Sequence, residues 1–585
     1  MNVEESILER VREIAYKHAL LNAYKHNGRA ELKPVISKIV SEIPEISSFI
    51  REIISIVQEI VNRVNSMSIE KQREEIEKNW PELLVEEHRV EEKKLPPLPN
   101  AVENKVVTRF APNPDYTIHL GNARPVLLSY WYAEIYKGKM ILRFEDTDPR
   151  IKSPFPEAYV KIKEDIKWLG VKWSEEYIQS MRLPIYYDIA RELIKANGAY
   201  VDKCSDKEFK KYRNMGKACP HRNNSVENNL EELDKILENY YSEGEAVIRV
   251  KTDMKHPDPS IRDWVALRII DTSKTPHPVV GDKYNLWPTY NYAAAVDDHL
   301  MGVTHILRAK EHVSNTIKQK YLYDHMKWTY PETIHFGRLS LEGVILSKSK
   351  MRKMILEQNL EPYDDPRFGT LSGLRRRGFV KETIWEIVRQ VGVKSIDARI
   401  SFVNLAAINR SFIDSKARRY MAVENPISLL IELESDVKAT ILRNPATGEK
   451  YEYFFSKGVH TIYISRRDLE LFRNNMVRLM GFANIVLEGL TIIDNNIGYK
   501  TRITSFSQED AVEKNLAIIQ WVSGDNYVEA DLITPTGNEL VYRRILVERD
   551  ILNSKVDDIV QFYRIGFARI DRFDNNRLTC IFSHE

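Results

Sequence analysis

The fold is decided by Lys105-Val-Val-Thr-Arg-Phe-Ala-Pro-Asn-Pro-Asp-Tyr-Thr-Ile-His-Leu-Gly-Asn122, in which a strand-like run gives way to turn residues. Lys105 to Phe110 is apolar and β-branched enough for a buried parallel strand, and the stretch from Asn122 to Tyr136 is predicted to be the helix that follows. Such a turn places backbone N–H donors and the positive helix end at one crevice, which favours phosphate. The stretch therefore predicts a doubly wound nucleotide-binding domain.

Four residues of this turn are candidates for binding ATP: Pro112, His119, Gly121 and Asn122. Gly121 would let a flat nucleotide approach closely. His119 would hydrogen-bond to phosphate oxygens as charge grows in a transition state, and Asn122 would donate beside it. Alone, a His-x-Gly sequence is more often an ordinary turn, so the assignment needs a second element.

That second element is Gly343-Val-Ile-Leu-Ser-Lys-Ser-Lys-Met-Arg352, which follows another strand-like run. Ser347 lies in the loop, and the flexible ammonium groups of Lys348 and Lys350 suit a mobile cover over a triphosphate. Alone, this segment would be an ordinary solvated loop. If the two segments meet in space, they form an ATP clamp.

Together the two segments resemble the signature pair of the class I aminoacyl-tRNA synthetases. Further matches resemble the glutamyl/glutaminyl branch in its archaeal and eukaryotic form, from about Leu95 to the C-terminus. They are Arg109-Phe-Ala-Pro-Asn-Pro114, Leu142-Arg-Phe-Glu-Asp-Thr-Asp-Pro149, Trp287-Pro-Thr-Tyr-Asn-Tyr292, Val296-Asp-Asp-His-Leu-Met-Gly-Val-Thr-His-Ile-Leu-Arg308 and Tyr363-Asp-Asp-Pro-Arg-Phe-Gly-Thr-Leu-Ser-Gly-Leu-Arg-Arg-Arg377.

The resemblance implies an amino-acid pocket formed by Arg109, Asn113, Glu145, Tyr290 and Arg308. Glu145 would meet the α-ammonium group of glutamate, while Arg109, Tyr290 and Arg308 would meet its carboxylates. Glutaminyl enzymes have a small uncharged residue at the position of Arg308. A buried guanidinium facing a neutral amide would lose its ionic partner at a cost of roughly a few kcal/mol, so glutamate is favoured.

Structural roles for two of these residues stay open at this point. Glu145 would alternatively form a salt bridge with Arg143 or Arg150. Arg308 would alternatively pair with Asp297 or Asp298. In either case the side chain would serve the fold and not the substrate.

The activity implied by the resemblance is ATP-dependent activation of L-glutamate and its transfer to the 3′ end of tRNA(Glu). His119, Asn122 and Lys348 would be catalytic, with Mg²⁺ bridging the phosphates. The sequence leaves tRNA(Gln) open as a second acceptor, which would bring in a tRNA-dependent amidotransferase. The alternatives are a glutaminyl-tRNA synthetase, an inactive tRNA-binding paralogue, or an adenylylating paralogue that would end soon after the second segment.

The domain organisation follows from composition breaks and implies multidomain α/β architecture plus an all-β region. Residues 1–95 are predicted to be a helical appendage, with a hinge at Leu95-Pro-Pro-Leu-Pro99. Residues 104–200 and 281–352 would form the two halves of a Rossmann-like catalytic domain. By resemblance, 201–280 would hold the tRNA acceptor end, 353–424 would be a helical stem-contact region, and 425–585 would be a β-barrel anticodon-binding region.

A zinc site is a further candidate, in the predicted insert. Asp202, Cys204, Cys219 and His221 resemble a zinc knuckle that archaeal relatives carry, except that Asp202 replaces the first cysteine. Aspartate is a poorer structural ligand for zinc than thiolate among sulfur partners. The alternative is a vestigial loop with free cysteines.

Length and composition indicate a multidomain protein without membrane segments. The chain has 585 residues, three cysteines and a net charge of +2, which suggests about four domains and a reducing compartment. We expect a cytoplasmic monomer without a membrane segment or signal peptide. Nucleic-acid contact would come from local basic clusters, with aromatic side chains for stacking. The clusters are Arg375 to Arg377, Lys416 with Arg418 and Arg419, Arg466 with Arg467, and Arg543 with Arg544; the aromatic residues are Tyr451, Tyr453, Phe454 and Trp521.

Three departures from the family pattern bear on these expectations. Tyr116 stands where most relatives have glycine, so a bulky side chain would alter the turn or the adenine side of the crevice. Asn122 replaces a second histidine but keeps a donor. Asp202 concerns only the zinc site.

Overall fold

The computed structural model describes residues 5–25, 28–43, 46, 49–80, 95–345, 348–358, 363–493, 496–574 and 577–585. The chain divides into two compact units, Met1–Lys94 and Leu95–Glu585, each with its own core. No helix within these ranges combines the length and the apolar character needed to cross a bilayer.

The first unit is helical, as predicted. Along its third helix, Ile53, Val57, Val61 and Val64 recur every three or four residues and are buried in the core of the unit. Gln72 is buried in this unit and donates from Nε2 to the carbonyl oxygens of Gly28, Val64 and Met67. The helices are α1 (Glu5–Lys25), α2 (Leu32–Glu42), α3 (Ile50–Asn65) and α4 (Ile69–Asn79).

The second unit begins with the proline-rich segment 95–99, which was predicted to be a hinge. The segment is instead packed in place. Leu98 is buried, its N–H donates to Tyr136 Oη at 3.0 Å, and Tyr132 Oη donates to Pro96 O at 2.8 Å. The hinge prediction is wrong for these residues, because Tyr132 satisfies the carbonyl of Pro96 and Tyr136 accepts the N–H of Leu98, which hold the segment in place.

A parallel α/β region follows. Its strands and helices are β1 (Val107–Phe110), α5 (Leu120–Ile135), β2 (Lys139–Phe144), α6 (Pro156–Trp168), β3 (Glu175–Ile178), α7 (Leu183–Lys195), β4 (Ala199–Asp202), α8 (Asp206–Met215), α9 (Val226–Leu237), β5 (Val247–Val250), β6 (Val265–Ile269), β7 (Leu286–Pro288), α10 (Tyr290–Leu300), β8 (His305–Ala309), α11 (Val313–Met326), β9 (Glu332–Phe336), β10 (Leu339–Leu341) and α12 (Lys348–Gln358).

Five of these strands form the frame of the doubly wound fold. Strands β1, β2 and β3 are parallel neighbours, and β8 and β9 form a second parallel pair. The pair lies beside β1, because Thr304 N–H donates to Val107 O at 2.9 Å immediately before β8. Chain order therefore switches between β1 and β8, and ligands bind outside the carboxyl ends of strands at such switch points.

An antiparallel sheet interrupts this frame in the order β4-β5-β6-β7. It packs on α7, α9 and α10 around Trp287 and Tyr186. Its last strand lies beyond residue 280, so the inserted sheet continues into the segment that begins α10.

Four elements follow the α/β region: α13 (Leu371–Arg376), α14 (Lys381–Val391), β11 (Ala398–Ile400) and α15 (Phe402–Ile413). They pack on the same core as α5 and β1. Strand pairing begins again at Arg418, within the region predicted to be helical as far as residue 424.

The remainder is β-rich, as predicted. Two seven-stranded sheets have the orders β12-β25-β26-β27-β23-β24-β13 and β21-β18-β19-β20-β14-β17-β22, and β15-β16 is a separate hairpin. The elements are β12 (Arg418–Tyr420), β13 (Ala422–Glu424), β14 (Pro426–Leu433), β15 (Val437–Asn444), β16 (Glu449–Phe455), β17 (Gly458–Ser465), α16 (Arg466–Phe472), β18 (Met476–Leu479), β19 (Asn484–Ile493), β20 (Asn496–Ser505), α17 (Gln508–Glu513), β21 (Ala517–Ile519), β22 (Val522–Ser523), β23 (Tyr527–Thr536), β24 (Glu539–Glu548), β25 (Ile559–Phe562), β26 (Gly566–Asp574) and β27 (Arg577–His584).

Candidate active site

A cavity of about 770 Å³ opens at the carboxyl ends of β1, β2 and β8. This is the position at which doubly wound sheets bind ligands. Residues predicted for ATP and for the amino acid share its wall, although they come from well-separated segments. They are Arg109, Pro112, Asn113, His119, Gly121, Asn122, Glu145, Tyr290 and Arg308.

The turn before α5 fixes the imidazole of His119 at the helix N-terminus. His119 Nδ1 accepts the N–H of Gly121 at 3.0 Å, and Asn122 Oδ1 accepts the N–H of His119 at 3.1 Å. With Nδ1 used as an acceptor, the proton of the neutral ring is on Nε2, where it would serve as a donor. His119 and Asn122 therefore form a capping box at the N-terminus of α5, in which each side chain accepts a backbone N–H of the turn.

Gly121 is required by close packing. A Cβ atom on Gly121 would lie 2.8 Å from His119 Cε1 and 3.0 Å from the carbonyl oxygen of Leu339. Any larger residue would displace the imidazole or the backbone at the start of β10, so the small residue preserves the shape of the cavity.

The two signature segments are joined by one stretch of backbone, Arg367 to Leu371. Its residues exchange hydrogen bonds with both sides: Leu120 N–H donates to Gly369 O at 3.1 Å, and Gly369 N–H donates to Ile345 O at 2.8 Å. Ser347 lies outside the described residues, and Lys348 is the first residue of α12. The ATP roles of these two residues stay predictions.

Tyr116 is buried, with 3% of its surface exposed, and is not among the residues that line the cavity. Its ring lies 5.7 Å from that of Tyr363 and belongs to a small core with Met351 and Met354 of α12. The bulky residue therefore packs the turn against the second segment and leaves the crevice unobstructed.

A buried charge network lies beneath the cavity floor. Asp298 Oδ1 pairs with Arg143 Nη1 at 2.8 Å and with Arg109 Nε at 3.2 Å. Arg143 Nη2 also pairs with Glu145 Oε1 at 3.0 Å. Although burial opposes it, the two guanidinium groups hold the pKa of Asp298 below its ordinary value.

Glu145 therefore forms a salt bridge with Arg143, which was one of the two structural alternatives considered for it. The bridge uses only Oε1. In the described part of the chain, Oε2 accepts no hydrogen bond and is available to an ammonium group at the cavity wall. Burial raises the pKa of Glu145, against the lowering influence of Arg143 and Arg109. A cationic ligand would restore the charge balance of the carboxylate.

Arg308 is 5% exposed and is held by neutral oxygens alone. Nη1 donates to Gln319 Oε1 at 3.0 Å, and Nη2 donates to Tyr330 Oη at 2.9 Å and to Thr316 Oγ1. Its Nε is buried and has no hydrogen-bond partner among the described residues.

The alternative ion pairs of Arg308 are not formed. Asp297 pairs with Arg182 at 2.9 Å, and Asp298 pairs with Arg109 and Arg143. Within the described ranges no carboxylate forms an ion pair with Arg308. A buried cation without a counter-charge would be stabilised by an anionic ligand in the cavity.

Sequence reasoning missed His312, which lines the same cavity. Its Nδ1 lies 3.4 Å from Tyr290 Oη and 2.9 Å from Asn315 Nδ2. Burial, reinforced by the charge of Arg308, lowers the pKa of His312 to about 4, so the ring is neutral at pH 7. The signal that could have found it is its position shortly after the carboxyl end of β8, at the edge where doubly wound sheets bind ligands.

The four predicted zinc ligands also come together, in the segment from β4 to the loop after α8. Their ligand atoms all lie within 4.8 Å of one another. Asp202 Oδ1 is 3.1 Å from His221 Nδ1 and 3.6 Å from Cys219 Sγ. Burial, with Asp202 nearby, raises the pKa of the Cys204 thiol to about 12.

Several of the residues that were predicted to contact nucleic acid are buried or form ion pairs within the protein. Trp521 and Tyr453 are 1% and 6% exposed, so the prediction that they stack on bases is wrong. Phe454, on the opposite face of β16 from Tyr453, is 77% exposed. Arg376 pairs with Asp571 at 2.9 Å and therefore serves the fold.

Comparison with known proteins identifies the family. The model of the class I tRNA synthetase (E and Q) catalytic domain matches residues 105–415. The chain belongs to this family. Two models of the class I (E and Q) anticodon-binding domain match residues 417–504 and 518–571, which are the β-rich part. The predicted fold class of this family, α/β plus β, is confirmed.

Similar proteins cover the whole chain. A protein from Staphylothermus marinus named glutamate–tRNA ligase is 66% identical over 567 residues, which are 97% of this chain and 100% of the relative. Proteins of the same name from Hyperthermus butylicus and Ignicoccus hospitalis are 50% and 49% identical, over 97% and 98% of this chain and 100% of each relative. Class I synthetases use ATP, ordinarily with Mg²⁺.

Proposed function

We propose that this chain is a glutamate–tRNA ligase, which activates L-glutamate with ATP and transfers it to the 3′ end of tRNA(Glu). The observation that carries the choice of amino acid is Arg308, a buried guanidinium that faces the cavity and has only neutral partners. A carboxylate side chain supplies the missing charge, whereas the amide of glutamine does not.

The rest of the pocket suits the other groups of glutamate. Glu145 receives the α-ammonium group, and Arg109 and Tyr290 orient the α-carboxylate at the cavity wall. Asn113, whose Oδ1 is buried without a hydrogen-bond partner in the described chain, lies in the same wall. Each of these groups positions the substrate and takes no part in bond making.

Activation is an in-line displacement. An oxygen of the α-carboxylate forms a bond to the α-phosphorus of ATP, the bond to the bridging oxygen breaks, and pyrophosphate leaves with the electron pair. The Nε2–H of His119 and the N-terminus of α5 stabilise negative charge on the phosphates. Mg²⁺, when bound, neutralises the phosphate oxygens.

Transfer completes the reaction. A hydroxyl of the terminal ribose of tRNA attacks the carbonyl carbon of glutamyl-adenylate, the proton passes to solvent or phosphate, and AMP leaves. The family implies the 2′-OH as the first acceptor. The same cavity serves both steps, because adenylate occupies the positions of both substrates.

A direct test is charging of tRNA(Glu) with labelled glutamate by the wild type and by His119→Ala. We expect the variant to lose roughly 10²- to 10³-fold in kcat while its Kd for tRNA stays the same. An inactive wild type would refute the function, and an unchanged variant would refute the role of His119.

We also propose that tRNA(Gln) is a second acceptor, which requires a tRNA-dependent amidotransferase to convert the glutamyl product. Charging of the two purified tRNAs side by side tests this. Glutamylation of tRNA(Glu) alone would contradict the second acceptor and leave the main function intact. We further propose that the enzyme is a cytoplasmic monomer, to be tested by sedimentation and by fractionation of cells.

We propose a structural Zn²⁺ ion at Asp202, Cys204, Cys219 and His221. Tetrahedral zinc with bonds of about 2.0–2.3 Å places its ligand atoms roughly 3.5 Å apart, and the contacts of 3.1–3.6 Å fit this spacing. The second oxygen of Asp202 accepts from Arg249 Nε at 2.6 Å, which orients the carboxylate.

Zinc content of the purified enzyme tests the proposal, together with the Tm before and after chelation. We expect one zinc per chain, lost in Cys204→Ser, with a Tm that falls on chelation. Cys580→Ser is the matched control, because that thiol is buried in another part of the chain. A zinc-free protein with unchanged Tm in chelator would overturn the assignment.

A further inference from the structure

We propose that Gln319 determines the choice between glutamate and glutamine, as a positioning residue that leaves the charge of Arg308 available to the substrate. Gln319 comes from α11 and is fully buried, with 0% of its surface exposed. It is not among the residues that line the cavity, so it acts through Arg308. The inference rests on the proposed function, because it concerns the amino acid that the same pocket selects.

Gln319 closes a ring of hydrogen bonds with Arg308 and Tyr330. Arg308 Nη1 donates to Gln319 Oε1 at 3.0 Å, and Arg308 Nη2 donates to Tyr330 Oη at 2.9 Å. Tyr330 Oη then donates to the same Oε1 at 2.8 Å. A guanidinium only donates, and a phenol has a single proton, so each group in the ring has one role. The ring therefore fixes both the position and the orientation of the guanidinium.

Hydrogen bonding alone does not explain an amide at this position. Both groups that face Oε1 are donors, so the amide nitrogen of Gln319 must point the other way. That nitrogen is buried and has no hydrogen-bond partner among the described residues, and an unsatisfied buried donor costs free energy. A carboxylate would offer the same acceptor without the unpaired donor. The property in which the amide differs to advantage is its lack of charge.

A carboxylate at position 319 would neutralise Arg308 within the protein. An oxygen at 3.0 Å from Nη1 would form a buried ion pair with the guanidinium. The side-chain carboxylate of the substrate would then meet a cation that is already paired, with a second negative charge behind it. The neutral amide instead leaves the counter-charge to be supplied by the substrate, which is what distinguishes glutamate from glutamine.

The other two acceptors of the guanidinium are uncharged as well. Thr316 Oγ1 accepts from Arg308 Nη2 and is a hydroxyl. Burial raises the pKa of Tyr330, against the lowering influence of Arg308, so its hydroxyl stays protonated at neutral pH. All three groups that hold Arg308 in the described chain thus bind the cation without cancelling its charge.

The experiment compares kcat/KM for glutamate and for glutamine in the wild type and in Gln319→Glu, which replaces one nitrogen by oxygen. Pyrophosphate exchange in the presence of tRNA(Glu) measures both. We expect kcat/KM for glutamate to fall roughly 100-fold or more, because the ion pair with the substrate is lost. The value for glutamine should fall less than about tenfold, so the preference for glutamate falls at least about tenfold. A purely structural defect would lower both values equally.

Two control variants separate the charge from the hydrogen bond and from the substitution itself. Gln319→Met is uncharged and lacks the acceptor, so it should raise the KM for glutamate roughly tenfold and keep the preference for glutamate. Gln390→Glu makes the same exchange at an exposed position of α14 and should leave both values unchanged. Ligand-free Gln319→Glu should unfold at about the same urea concentration as the wild type, because the new carboxylate has Arg308 as its partner.

The role of Gln319 is overturned if Gln319→Glu keeps the preference of the wild type, or if Gln319→Met loses that preference to the same extent. It is also overturned if Gln319→Glu fails to fold, because a guanidinium without a counter-charge would accept the carboxylate. A wild type that does not activate glutamate would instead refute the proposed function.

Discussion

Replacement of Arg308 by glutamine is the most informative single change, because it removes the charge and keeps a polar side chain. Breaking a buried ion pair between Arg308 and the substrate carboxylate costs about 3–5 kcal/mol. At about 1.4 kcal/mol per tenfold, kcat/KM for glutamate should fall between roughly 100-fold and 5,000-fold. Glutamine, which gains no ion pair in the wild type, should lose far less.

The ligand-free stability should change little, because Arg308 has no carboxylate partner whose loss would leave a buried charge. Arg143→Gln is the matched contrast. That guanidinium is fully buried and pairs with Asp298 and Glu145, so its loss should destabilise the fold by about 3–5 kcal/mol. Charging kinetics with both amino acids and urea unfolding of both variants measure these effects. Equal losses for glutamate and glutamine in Arg308→Gln would show that Arg308 does not select the side-chain carboxylate of the substrate.

Gly121→Ala should lower kcat at least tenfold by displacing His119, whereas Gly489→Ala, at a site with open space around the new methyl group, should have no effect. Tyr116→Ala should reduce the free energy of unfolding by about 3 kcal/mol and raise the KM for ATP, because Tyr116 packs against α12; an unchanged KM for ATP would contradict that coupling. Burial raises the pKa of Asp165 to about 7 from an unfolded value of about 3.9, so the folded state binds more protons between these values. The free energy of unfolding should therefore fall as pH rises from about 4 to about 7, by at most about 1.4 kcal/mol per pH unit, and urea titrations of Asp165→Asn should show a shallower dependence.

The strands and helices that depend on short stretches of sequence could be predicted, because apolar periodicity and turn residues are visible within those stretches. The strand–turn–helix around His119 follows from apolar periodicity and from turn residues, and the structure has β1 and α5 there. The hinge at 95–99 was misjudged because prolines mark both flexible and packed segments. Only the contacts of Pro96 with α5 distinguish the two cases.

The sequence was sufficient to predict many of the residues that line the site. It was not sufficient to predict which of their charges are neutralised by other residues of the protein. Arg308 was identified by its motif, yet nothing in the sequence placed Gln319 and Tyr330 around it or assigned Asp298 to Arg109. Such pairings join residues that are distant in the chain or lie on different elements. His312 was missed for the same reason, since its burial and its proximity to Arg308 appear only in the folded chain.

We propose that glutamate is the amino acid that this enzyme activates with ATP. Pyrophosphate exchange in the presence of tRNA(Glu), with glutamate and glutamine measured side by side, tests it most directly. We expect exchange with glutamate and at most a small fraction of that rate with glutamine, with the preference lost in Arg308→Gln. Exchange with glutamine alone, or with neither amino acid, would contradict it.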